Sequence, residues 1–249
     1  MSAALKTDLL KVLSPSYRLE NYFDASDIDE LEFMIEKMLD NNQHSDLPKV
    51  LEMLNAISDK IDDKDLSIYV YQIILFLDGI YLNRNEKNFE LAYENFIEAL
   101  ALTIENFDIN NFKNFAYNNF ELRILMNIAL TLNKLKEFDF SKKIFLFLLK
   151  NLNKKSQLYA STLHNLAIFK AKNKEYKQAL VLVNRAIDIS NRYRNASKLH
   201  STYYEKALFE YHLGDENYKN SFEISKTLAR AYGYNDFLKF LEEKMEKYQ

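Results

Sequence analysis

The chain has 249 residues, 48% hydrophobic and 28% charged, which excludes wholesale disorder and leaves material for a large core. With Gly 3 and Pro 2 there are too few turn-formers for a β-rich fold, and Cys 0 excludes a disulfide framework and a thiolate zinc site. The formal charge of −3, from 33 basic and 36 acidic residues, provides no whole-chain field for a polyanion, so nucleic-acid binding by this chain alone is poorly supported.

The opening, Met1 to Leu13, lacks the basic flank and apolar core of a signal peptide, and no stretch counts up to the roughly 20 apolar residues that span a bilayer; a cytoplasmic protein without membrane contact is expected. Leu5, Leu9, Leu10 and Leu13 predict a short first helix, ended by Ser14, Pro15 and Ser16 and followed by an apolar clasp of Tyr17, Leu19, Tyr22 and Phe23. Helix pairs are then predicted over Asp27 to Leu39 and Leu47 to Ile61, with Ser45 as N-cap and Pro48 in the first turn, and over Leu66 to Leu82 and Phe89 to Ile104, across the polar run Asn83 to Asn88. Three more pairs follow: Phe112 to Leu132 with Phe138 to Leu149, Gln157 to Ala171 with Tyr176 to Ser190, and Ala196 to Leu213 with Tyr218 to Tyr232. A terminal helix is predicted from Asp236 to Tyr248, and Gly214 and Gly233 stand where a helix end needs a left-handed residue.

Two of these pairs nearly repeat one another. Asn127 and Asn165 are 38 residues apart, as are Ala129 and Ala167, and Phe138 and Tyr176, a period near that of tetratricopeptide repeats. Gly79, Ala129, Ala167 and Ala207 fall where the first helix of a pair crosses its partner most closely, and Ala92, Ala99, Ala179 and Ala186 serve the second helices. The expected fold is therefore all-α, a tetratricopeptide-like right-handed solenoid of about five helix pairs plus a C-terminal helix, whose concave face suits an extended peptide.

Catalysis has little support in the residues. His44, His164, His200 and His212 show no metal-ligand spacing, there is no glycine-rich phosphate loop and no G-x-S-x-G, and the pairs Glu242 with Glu243 and Asp62 with Asp63 read as solvated faces. No enzyme activity, cofactor or metal is expected. Asn127 and Asn165 are the candidate binding residues: each lies two residues before the small alanine of its helix, and a side-chain amide can donate and accept at once to the main chain of a ligand. Their alternative is a bond within the repeats themselves. Arg123, one turn before Asn127, either meets a ligand carboxylate or pairs with Glu121 or a neighbouring helix. Aligning Ala207 with Ala167 sets Glu205 at the asparagine position and Ser201 opposite Ser161, and Tyr203 and Tyr204 either place one hydroxyl in the groove or both pack.

The stretch Leu158 to Gln249, with LHNLAIFKAKNKEYKQALVLVNRAIDIS and the tail STYYEKALFEYHLGDENYKNSFEISKTLARAYGYNDFLKFLEEKM, resembles the C-terminal half of PlcR-type peptide-sensing transcription regulators. NFELRILMNIAL resembles the matching helix of the Rgg/GadR/MutR relatives. The resemblance runs in order over roughly Asp27 to Gln249 and is strongest from about Phe120 onward. It implies an oligopeptide signal held by repeat asparagines, at positions that Asn127 and Asn165 match and Glu205 does not. It also implies a homodimer through the C-terminal end, which the apolar residues Tyr232, Phe237, Phe240 and Leu241 would suit. DLLKVLSPSYRLENYF resembles the last helix of the family's DNA-binding domain, with the earlier helices absent, so residues 1–26 are expected to be a remnant and linker and 27–249 the peptide-binding and dimerisation domain. Either the DNA reader has been removed or the chain is a naturally headless relative, and DNA would be met only through that missing domain. The competing expectation is a generic tetratricopeptide scaffold that docks a protein partner.

Overall fold

The computed structural model describes residues 35, 47–58, 61, 63–196 and 198–245, so the expected helices at the N-terminus, the Ser45 cap and the 1–26 segment lie outside the described residues. Those described are helical or connecting, with no strand among them. The fold is all-α and tetratricopeptide-like, and the chain divides into two compact units between Ile144 and Phe145.

The first unit contains α1 (Leu47–Ser58), α2 (Lys64–Tyr81), α3 (Phe89–Ala101), α4 (Asn119–Lys134) and the start of α5 (Phe138–Asn151). Successive helices from α1 to α4 pack on one another. Each start has a local cause. Asp63 caps α2 by accepting from the Leu66 N–H at 2.9 Å, and Asn88 caps α3 through Leu91 at 3.2 Å. At α4, Asn118 accepts from Glu121 N–H while Glu121 Oε2 accepts from Asn118 N–H, a reciprocal capping box.

This box corrects the predicted start at Phe112. Residues Ile109–Asn114 form a 3₁₀ turn, because Asp108 accepts from the Asn110 N–H and from the side-chain amides of Asn110 and Asn111 at 2.9 to 3.0 Å. Such local bonds compete with α-helical ones. A second correction concerns the membrane count: the helical stretch Lys64–Glu86, α2 with the π-helical turn Leu82–Glu86, is by length and composition long and apolar enough to cross a bilayer. More than half of it is buried in protein, with Val70, Ile73, Phe76 and Leu77 in the core and the buried Gln72 amide donating to Ala99 O and Thr103 Oγ1, each at 2.7 Å.

In the second unit α6 (Gln157–Lys172) pairs with α7 (Tyr176–Arg192), α8 (Leu199–Leu213) pairs with α9 (Tyr218–Ala231), α7 packs on α8, and α10 (Asn235–Met245) packs on α9. Ala167, Ala179, Val183 and Phe209 form one buried cluster, and Tyr204, Ala207, Phe222 and Leu241 another.

Five of the turns between described helices share one geometry. Lys136 (φ 68), Lys174 (φ 60), Arg194 (φ 54), Gly214 (φ 73) and Gly233 (φ 73) are left-handed, and the residue after each donates back to a carbonyl of the last helical turn: Glu137 to Leu132, Glu175 to Lys170, Asn195 to Ser190, Asp215 to Glu210 and Tyr234 to Ala229.

Gly79 tests the packing. A Cβ there would lie 2.6 Å from Cε1 of Phe96, whose ring is fully buried beside Phe76. Alanine is the better helix former by about 1 kcal/mol, yet overpacking typically costs about 1 to 3 kcal/mol. Gly79→Ala should therefore lower the urea midpoint with an unchanged slope; an equal or higher midpoint would show that Phe96 can yield.

Candidate functional site

Asn127 and Asn165 occupy equivalent places on α4 and α6, each half-buried and two residues before a fully buried alanine. Their surroundings differ. Asn127 Nδ2 donates at 2.9 Å to Arg123 O one turn back, and the main-chain carbonyl of Asn127 accepts from Thr131 Oγ1, itself bonded to the Asn83 amide. Asn165 makes no hydrogen bond to any described residue, so both faces of its amide remain available.

Arg123 is only 5% exposed and already interacts with other groups of the chain, and Glu121 is taken up by the Asn118 cap and by Thr103 Oγ1 at 2.7 Å. In the second unit Ser201 Oγ donates to Lys198 O at 3.0 Å. Tyr204 is 8% exposed, its ring packed at 5.9 Å from Phe222, 6.0 Å from Phe237 and 5.4 Å from Phe240, and the ammonium of Lys206 lies 5.8 Å from the Tyr203 ring.

Two glutamates of α8 contrast. Glu210 is buried, yet its carboxylate accepts from Ser221 Oγ at 2.6 Å and lies 3.6 Å from Lys206 Nζ. Glu205 is half-buried and makes no hydrogen bond or ion pair with any described residue; burial alone raises its carboxyl to about 7.

A feature missed by sequence reasoning lies beside these residues. Gln157, Ser161 and His164 of α6, Ala186 and Ser190 of α7, and Lys198 and Thr202 at the start of α8 line a closely packed polar cleft. His164 Nδ1 has no hydrogen-bond partner there, and burial, then Lys198, then His200, lower its pKa to about 4. His200 is likewise lowered to about 4, by burial and then Lys198, and stacks 4.1 Å from Tyr234. The only available signal was Ser161 and His164 at i, i+3 spacing, which places them on one face of α6.

At the C-terminal end, Tyr232 is 55% exposed and Phe240 37% exposed, whereas Phe237 is half-buried against His200 and Tyr204. Leu241 departs from the expectation of an uncovered face: it is fully buried against Tyr204, Ala207 and Phe222, because α10 folds back over its own unit. Among the described residues no group of three metal-ligating side chains occurs.

No protein-family model matches the chain, and no curated protein matches it significantly in sequence. Its fold is shared with solved structures. The chain is similar to Bacillus thuringiensis PlcR in complex with the peptide PapR7 and DNA, at 13% identity and a TM-score of 0.69, over 88% of this chain and 75% of that one. It is also similar to a Rap protein complexed with competence and sporulation factor (18% identity, TM-score 0.61, 98% and 69% covered) and to BtubC (BKLC) from P. vanneervenii (16%, 0.59, 93% and 90%). At these identities the likeness is one of fold.

Glu205 makes the site testable without a ligand. Its ordinary pKa of 4.5 applies when unfolded and about 7 when folded, so its effect on stability is most favourable at low pH and is lost as the pH rises through 7. His164 and His200 act oppositely: their lowered values contribute stability above pH 6.5 that is lost as the pH falls toward 4. Glu205→Gln should therefore raise unfolding free energy by about 1 to 3 kcal/mol at pH 8 and by much less at pH 5. Equal effects at both pH values in urea denaturation would show that the carboxyl is solvated.

Proposed function

We propose that this chain is the peptide-sensing and dimerising regulatory part of a cytoplasmic transcription regulator of the PlcR or Rgg/GadR/MutR kind, binding a short signalling peptide, with DNA read by a helix-turn-helix domain. Binding, not catalysis, is its activity. The observation that carries the reading is the Asn165 amide, half-buried and without a hydrogen-bond partner among the described residues, at the place on its helix that Asn127 holds in the preceding repeat. The fold adds support, since two solved proteins that share it are described with a peptide and with competence and sporulation factor bound.

In this reading Asn165, Ser201 and Glu205 face the peptide in the second unit, Tyr204 backs them from the core, and Asn127, with Arg123 behind it, is the equivalent position of the first unit. An amide grips a peptide backbone without reading its side chains, so affinity comes from the asparagines and selectivity from what surrounds them.

Calorimetric titration of short peptides against wild type, Asn127→Ala and Asn165→Ala checks this. Each substitution should weaken binding by about 1 to 3 kcal/mol, roughly five- to over a hundredfold, with little change in melting temperature. Equal binding by both variants, or a strong loss of thermal stability without ligand, sinks the clamp. Binding of a folded protein that ignores both substitutions would favour the scaffold reading instead.

Dimerisation rests on Tyr232 and Phe240, apolar rings left partly open at the end of the chain. Light scattering should find a dimer at micromolar concentration and a monomer for Tyr232→Glu; a monomeric wild type refutes it.

A further inference from the structure

Resting on the peptide-binding reading, we infer that the ligand of the second unit carries a positive charge, an ammonium or guanidinium group, that seats against the Glu205 carboxylate. Glu205 takes the register position at which α6 presents an amide, yet a carboxylate can only accept hydrogen bonds when ionised, so it cannot replace the asparagine as a two-way backbone clamp. It suits a donor, and above all a cationic one.

The described residues supply no such donor. Lys206, the adjacent cation on α8, is committed to Glu210 at 3.6 Å and lies over the Tyr203 ring. Lys198, two turns earlier, acts on His164 and His200, both held neutral by burial, and also interacts elsewhere in the chain. Ser201, one turn before Glu205, donates its hydroxyl to Lys198 O. None of the groups on α6, α7, α9 or α10 bonds or pairs with Glu205, and only burial perturbs it. Glu210 on the same helix shows how this fold satisfies a buried carboxylate that is purely structural: a serine and a lysine close on it. Glu205 lacks both, which is an arrangement completed by something from outside.

The cation has two chemical sources, a basic side chain or the free N-terminal amine of the peptide. The probe is a set of synthetic heptapeptide sublibraries, each with one position fixed as lysine or as its uncharged isostere norleucine, in free and N-acetylated forms. Retention on the immobilised full chain is read by mass spectrometry, and retained peptides are titrated by calorimetry against wild type, Glu205→Gln and Asn165→Ala. Wild type should prefer one fixed lysine, or the free amine over the acetylated form, by about tenfold or more, the affinity equivalent of a charge-assisted hydrogen bond. Glu205→Gln should abolish that preference while still binding the uncharged forms, and Asn165→Ala should weaken all forms alike. The circular dichroism spectrum and melting temperature of each variant confirm that it is folded.

If peptides are retained and Asn165→Ala weakens them, but charge makes no difference or Glu205→Gln keeps the preference, the cation subsite is wrong and the peptide-binding reading stands. If no sublibrary is retained, the peptide-binding reading fails and this inference fails with it.

Discussion

The fold depends on close approach of paired helices, which only small residues at the crossing allow. In the first unit the constraint is Gly79, where Phe96 fills the volume that any side chain would need. In the second, Ala167 meets Ala179 and Val183 in one buried cluster and Ala207 meets Phe222 in the next. Close crossing brings polar groups within reach of the partner backbone, and the protein uses this: Ser141 Oγ donates to Ala129 O, and Ser225 Oγ to His200 O, each at 2.7 Å. These bonds satisfy hydroxyls that would otherwise be costly to bury, and they fix the axial register of one helix against the other.

That register is held at the ends of the helices by the left-handed turn. The backbone reverses through one residue with positive φ and returns a hydrogen bond to the finished helix, which aims the next helix back along the first. Two of these sites use glycine and three use lysine or arginine, which bear the steric cost of a Cβ in that region. At Lys174 a side-chain contact accompanies the turn, because Lys170 Nζ pairs with Glu175 at 2.7 Å across it.

Much of this was legible in the sequence. Phe89, Phe138 and Tyr176 do begin α3, α5 and α7, and Gly79 does lie at a tight crossing, because apolar period and residue size report directly on packing. The errors share a cause too. Period alone ran α4 back to Phe112, since it does not weigh Asp108 bonding its neighbours into a 3₁₀ turn. It left Lys136, Lys174 and Arg194 unnoticed, since nothing in a lysine or arginine announces positive φ. The cover over Leu241 is not readable from sequence, which cannot say that α10 returns to its own unit, and His164 becomes a feature only where three helices line one cleft, as His200 does only where Tyr234 and Phe237 pack on it.

The candidate site differs from the scaffold in how its polar groups are satisfied. In the first unit several buried polar groups bond to one another: the Gln72 amide N–H reaches Ala99 and Thr103, Thr103 reaches Glu121, and Asn95 reaches Asp78 Oδ2 at 2.7 Å, although Gln72 Oε1 is left without a partner among the described residues. In the second unit the Asn165 amide, the Glu205 carboxyl and the Nδ1 atoms of His164 and His200 have no such partners among the described residues, although Ser225 and Glu210 of the same unit are bonded. Unsatisfied polar groups cost stability, and a helix that closes a serine and a lysine on Glu210 has no packing reason to leave the Glu205 carboxyl open. A binding site gives that reason, because the group that lowers stability in the free protein is the one whose interaction improves most when a ligand of complementary charge arrives.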